Sequence, residues 1–304
     1  MTSHQPGRVA VVGQLVRDLV LQTDAVPGRG ASATVSRRRE LLGGKGANHA
    51  LGLHELGAEV ELVAVAGEDA AGGWALQRAS DEGIGVGGVV RRGTTALLVD
   101  VVETSGGRRL LEHVPDEALL TPADIRAATR VLGAADTVCL QLQQPADALL
   151  AAAAIAQEAG ARVVLDGAID GPERDELLAG AQVVRADAKE AAILTGAEIA
   201  GRADAEQAAS SVLAKGPALV ALGVPDGGDL VAWQGGSVFL PFGDATVVDI
   251  TGAGDAFLAG LVTGVRLGWE PERSARLAAA AASATVGLLG GRPELERLRP
   301  TGES

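Results

Sequence analysis

The stretch from Val247 to Gly264, VVDITGAGDAFLAGLVTG, constrains this chain more than any other. Thr251, Gly252, Ala253 and Gly254 have too little side-chain bulk to hide their backbone, and beyond them Phe257, Leu258, Leu261 and Val265 recur at helical spacing. Val247 and Val248 read as the end of a buried strand ahead of the turn. A helix that starts on glycines offers unpaired N–H groups and the positive end of its macrodipole, which suits a phosphate or a phosphoryl oxyanion. Asp255 falls in the first turn. There it can accept a proton from an attacking hydroxyl while the Gly252, Ala253 and Gly254 amides stabilise the transferred charge. The same residues also suffice for a plain turn and a helix cap, so a second motif has to decide.

That second motif is Leu41-Leu-Gly-Gly-Lys-Gly-Ala-Asn48, another glycine-rich approach to a helix, continued by Ala50, Leu51 and Leu53. Composition matters here. The chain holds three lysines, Lys45, Lys189 and Lys215, and one asparagine, Asn48, three positions after Lys45. A chain that avoids both residue types yet keeps them together has a use at this place for an ammonium and an amide. Asp18 follows the first apolar strand, Val9 to Val12, where open α/β sheets bind ligands in the crevice at the strand ends. Alone, it also fits a solvated loop carboxylate.

The remainder reads as repeated strand and helix units, with strands at Val60–Ala66, Thr137–Leu142, Val163–Leu165 and Ala218–Leu222. Helices are expected at Asp147–Ala159, Asp187–Thr195 and Leu277–Val286, with a hairpin over Gly235 and Gly236. Two islands, about 19–42 (with alternation at Ala33–Val35 and Glu40–Leu42) and 94–113, show strands without intervening helices, as a small sheet standing off the main one would. At 304 residues and 47% hydrophobic content, residues 1–304 are expected to form one domain.

Net charge of −13 argues against a nucleic-acid or anionic-membrane partner held by a general field. No stretch of 18 uninterrupted apolar residues occurs, Cys139 is the single cysteine, and MTSHQPGRVAVVG lacks the pattern of a secretory leader. A soluble, cytoplasmic protein acting on a small molecule is expected.

The two glycine-rich helix starts, their order and the early acidic residue resemble the ribokinase-like, or PfkB, carbohydrate kinases, and the spacings run with the ribokinase branch. GGKGANHALGLHELGA at 43–58 is similar to the family's first signature and DITGAGDAFLAGL at 249–261 to its second. The resemblance covers nearly the whole chain. It implies a three-layer α/β fold with a mostly parallel central sheet and a small β-sheet lid. It also implies an ATP- and Mg2+-dependent kinase acting on a primary hydroxyl of a small sugar, and a homodimer formed through the lid. Asp255 would be the catalytic base, with Gly252, Ala253 and Gly254 the anion hole. Asp18, Gly43, Gly44, Lys45 and Asn48 would hold the sugar. Asp187, Gly223 and Gly254 would lie at the nucleotide. Glu190 would hold magnesium through water, and Asp249 with Thr251 would belong to a monovalent cation (K+) site.

Departures from the pattern matter. Asp187 stands for asparagine in the family's N-x-x-E motif, and Ala221 and Val224 stand where the ribokinase branch has hydroxyls. Glu294 replaces a serine of the potassium site. In the sugar pocket Val16 replaces an asparagine and Gln143 a glutamate, which puts ribose itself in doubt. A nucleoside kinase of the same fold, or a sugar-binding protein with weakened catalysis, are the alternatives.

Overall fold

A computed structural model describes residues 7–225, 227–243 and 246–301. Its first part runs β1 (Arg8–Val12), β2 (Val16–Thr23), β3 (Arg37–Gly43), α1 (Lys45–Glu55), β4 (Glu59–Ala66), α2 (Ala70–Asp81) and β5 (Gly85–Arg91). Then come β6 (Leu97–Glu103), β7 (Arg108–His113), α3 (Pro122–Ala127), α4 (Thr129–Gly133), β8 (Thr137–Gln141), α5 (Ala146–Glu158) and β9 (Arg162–Asp166). The last part holds α6 (Glu173–Gly180), β10 (Val183–Ala186), α7 (Ala188–Thr195), α8 (Arg202–Leu213), β11 (Leu219–Val224), β12 (Gly228–Trp233), β13 (Gly236–Pro241), α9 (Ala253–Arg266) and α10 (Pro271–Thr285).

The central sheet has the order β13-β12-β11-β10-β9-β8-β1-β4-β5, parallel from β11 to β5, with β12 and β13 added antiparallel at one edge. Strands buried on both faces read as unbroken apolar runs, which is why β1 is VAVV after its first residue. Alternate side chains feed opposite layers. Ala10 and Val12 join the core under α5 to α8, and Val9 and Val11 join the core under α1, α2, α9 and α10. That is the expected three-layer α/β architecture. A Cβ on Gly260 would sit 2.7 Å from the Ala278 Cα, so α9 and the alanine-rich α10 pack nearly backbone to backbone.

The lid is a four-stranded sheet, β3-β2-β6-β7. Burial alternates along β2 and the second half of β6, as in a sheet with one wet face, while β7 at the edge is exposed along nearly its whole length. Cross-strand register puts Asp18, Val20, Leu98, Asp100 and Arg108 on the face toward the central sheet, and Leu19, Leu21, Val99 and Leu111 on the other.

Several expectations are corrected. Val247 and Val248 end no strand: they lie 59% and 37% exposed in a loop after Pro241 closes β13, and the Val248 N–H bonds the Val286 carbonyl at the end of α10. A two-residue apolar run carries no period by which strand and loop can be told apart. Ala33–Val35 also lies outside any strand. Asp18 is inside lid strand β2, rather than at the end of β1. β5 and β10 escape sequence reading because β5 holds three glycines and β10 spans four residues. Among the described residues no helix is long and apolar enough to cross a membrane.

Candidate active site

Two helix starts meet at the carboxyl ends of the parallel strands, where ligands bind in open α/β sheets. Gly252 caps α9 at φ 73, and a Cβ there would run into the Gly291 carbonyl, so glycine is required twice over. A Cβ on Gly254 would strike the Arg185 guanidinium. Of the expected anion-hole amides, Ala253 N–H is turned back toward the Ile250 carbonyl at 3.3 Å.

Asp255 is 6% exposed and is clasped by two consecutive residues of α1. The Asn48 amide donates to its Oδ2 at 2.8 Å, and His49 Nε2 lies 3.2 Å from its Oδ1. Asn48, expected at the sugar, thus also fixes the orientation of the Asp255 carboxylate.

Lys45, first residue of α1, is also engaged within the protein. Its Nζ lies 2.6 Å from Glu190 Oε1 and 3.2 Å from Asp166 Oδ2. Arg185 Nη1 is 3.3 Å from Asp166 Oδ1. Burial opposes the charge on Asp166, but Lys45, Arg185 and His49 outweigh it and hold the carboxyl below the usual range. Burial likewise opposes the charge on Lys45, and Asp166 and Glu190 overcome it, raising its proton affinity.

Asp187 and Glu190 form a capping box at α7. The Glu190 N–H donates to Asp187 Oδ1 and the Asp187 N–H to Glu190 Oε2, both at 2.8 Å. This gives Asp187 a structural reason of its own. A Cβ on Gly223 would sit 3.4 Å from Asp187 Cα, so the β11 end and the α7 start lie side by side.

On the lid side Asp18 is 7% exposed, and its Oδ1 is buried with no hydrogen-bond partner. A Cβ on Gly43 would collide with this carboxylate, and Gly44 turns at φ 87 to start α1. Burial first, then the Asp100 and Asp255 charges, raise the Asp18 pKa to about 7, against the opposing pull of Arg292 and Arg108. Val16 is fully buried against Ala96 and Ala118, beside Gly44. Gln143 is exposed and accepts from Gln141 Nε2 at 2.7 Å.

Comparison with known proteins matches residues 7–297 to the pfkB family carbohydrate kinase. The chain belongs to that family. Relatives include a ribokinase of Haemophilus influenzae, 28% identical over 91% of this chain and 92% of its own length. A 1-phosphofructokinase of Rhodobacter capsulatus is 32% identical over 96% and 94%. Among solved structures, Arabidopsis thaliana ribokinase complexed with ribose and ATP superposes with a TM-score of 0.79 at 26% identity, covering 97% of this chain and 96% of that one.

This pfkB kinase therefore carries a ribokinase-like fold and phosphorylates a carbohydrate, and ATP is the donor in its family. Its Asp249 spends both oxygens inside the protein: Thr251 N–H and Oγ1 donate to Oδ1 at 2.9 and 2.6 Å, and Gly290 N–H to Oδ2 at 2.9 Å. Those bonds tie the loop before α9 to the loop before Arg292. Sequence reading passed over Asp166, Arg185, His49, and the lid pair Asp100–Arg108, whose Arg108 Nε and Nη2 reach the Asp100 oxygens at 2.5 and 2.8 Å. Asp166 left a signal, an acid closing an apolar strand, of the kind that singled out Asp18. His49 left only its place beside Asn48.

Proposed function

We propose that the chain transfers the γ-phosphoryl group of ATP to a primary hydroxyl of a small neutral sugar held between the lid and the central sheet. The observation that carries this reading is Asp18: a buried carboxylate oxygen without a partner is costly unless a ligand supplies hydroxyl donors. Gly43 clears room for that carboxylate, and Asp255 lies close enough for its charge to be felt at Asp18. One sugar can therefore donate to Asp18 at one end and present a hydroxyl to Asp255 at the other.

Asp255, oriented by Asn48, takes the proton as the oxygen attacks, and the amides of Gly252 and Gly254 stand where the transferred charge develops. Arg185, packed on Gly254, adds positive charge to the same place. The nucleotide would lie over Gly223 and the Asp187 end of α7. Glu190 and Asp187 present the hard oxygens that suit magnesium and its water shell, and Lys45 against Glu190 marks that corner as one that draws cations. Magnesium, when bound, neutralises phosphate charge. Asp249 and Thr251, bonded to one another and to Gly290, would be the residues nearest a monovalent cation beside this loop. The outer lid face, with Leu19, Leu21, Val99 and the 63% exposed Leu111, supports pairing with the lid of a second copy.

The test is ADP release across a panel of sugars and nucleosides, with binding heat measured in parallel. Turnover of one sugar above all nucleosides is expected. Binding heat without ADP release would overturn the kinase reading of this site.

A further inference from the structure

His49 is fully buried, and its Nε2 stands 3.2 Å from Asp255 Oδ1 and 3.5 Å from Asp166 Oδ2, aligned for a linear hydrogen bond with neither. The three ligand-type atoms lie within 4.8 Å of one another. Two carboxylates that close repel by roughly 3–4 kcal/mol even at an effective dielectric of about 20. Asp166 can ionise because Lys45 and Arg185 hold its outer sides. Toward Asp255 the separating group is the imidazole. A bare ring nitrogen facing two carboxylates would add repulsion, so Nε2 carries a hydrogen whether the ring is neutral or charged.

We propose that His49 is a positioning residue for the general base: its Nε2–H, wedged between Asp255 and Asp166, keeps the two carboxylates apart and fixes Asp255 toward the acceptor hydroxyl. Asn48 holds one Asp255 oxygen and His49 abuts the other, so one turn of α1 sets the rotation of the catalytic carboxylate. The charged groups facing this corner are Lys45 from α1, Asp166 from β9, Arg185 from β10, Glu190 from α7 and Asp255 from α9. Removing the wedge takes a donor from Asp255 and opens it to the Asp166 charge. Both changes make Asp255 hold a proton more tightly and leave less of it free to act as base. The inference rests on the reading of Asp255 as that base.

The test compares His49→Leu, His49→Gln and His49→Asn, with Asp255→Asn as reference, using ATP and D-ribose as well as the preferred acceptor from the ADP-release panel. Leucine fills the space without a donor. It should lower kcat at least about 30-fold, leave both KM values within about threefold, and move the acid limb of the kcat–pH profile upward by a unit or more. Glutamine can place an N–H where Nε2 stands and should recover kcat to within about fivefold with the limb near its original place. Asparagine keeps the amide on a shorter arm and should fall between, which preserves the test if the leucine variant does not fold. Equal losses in glutamine and leucine, or a limb that does not move in leucine or asparagine, would overturn the proposal. If Asp255→Asn itself turns over normally, the assignment of the base fails instead.

Discussion

Replacing Asp18 by asparagine separates what this carboxylate costs the fold from what it gives the substrate. Its pKa stands at about 7 against an ordinary 3.8, because the folded chain buries the group beside Asp100 and Asp255. The folded state thus holds a proton that the unfolded chain releases near pH 4. Wild-type stability falls as pH rises from about 4 to about 7 and levels off above. Over the full interval the difference converts to about 4 kcal/mol, at 1.36 kcal/mol per pH unit. Asparagine does not titrate. The Asp18→Asn protein without sugar should therefore gain on wild type by about 2 kcal/mol between pH 5.5 and 7, and hold that lead to pH 8.5. Urea unfolding across this range, read at the midpoint with m unchanged, measures it. Sugar affinity should move the other way, falling at least about tenfold at pH 8, since a neutral amide is a weaker acceptor than a carboxylate. A stability difference that stays flat from pH 5.5 to 8.5 would refute the reasoning.

Three further outcomes are expected. Asp255→Asn should lower kcat by at least about 10² while sugar affinity, measured calorimetrically, stays within about tenfold; turnover near wild type would remove Asp255 from the chemistry. Gly252→Ala places a Cβ at φ 73 against the Gly291 carbonyl, so it should cut kcat by at least about 10² with sugar binding at Asp18 retained, and equal loss of both would show the damage spreading beyond the α9 start. Val16→Asn with Gln143→Glu adds an amide at one position and turns an amide into an acceptor-only carboxylate at the other, and should raise kcat/KM for D-ribose at least about tenfold; no gain would mean that neither position governs ribose.

What the sequence disclosed depended on whether a residue's neighbours in space were also its neighbours along the chain. The glycine turn at Gly252–Gly254, its first-turn carboxylate and the Lys45–Asn48 group were legible because a helix start is a local object, built from residues three or four apart. The two strand islands were legible because alternation survives in β2 and β6 where one face stays wet, although the same cue misread Ala33–Val35. Pairings across layers left no such trace. Nothing in the local pattern around Lys45 announced that β9 and α7 bring Asp166 and Glu190 to its ammonium, nor that α9 sets Asp255 against the Asn48 amide. The Asp187–Glu190 spacing is that of a capping box, three residues apart, yet the family resemblance drew attention to magnesium and away from the helix cap. The same logic explains His49. Buried next to a conspicuous asparagine, it faces carboxylates 117 and 206 positions further along the chain, and only folding shows that α1 delivers two side chains, rather than one, to Asp255.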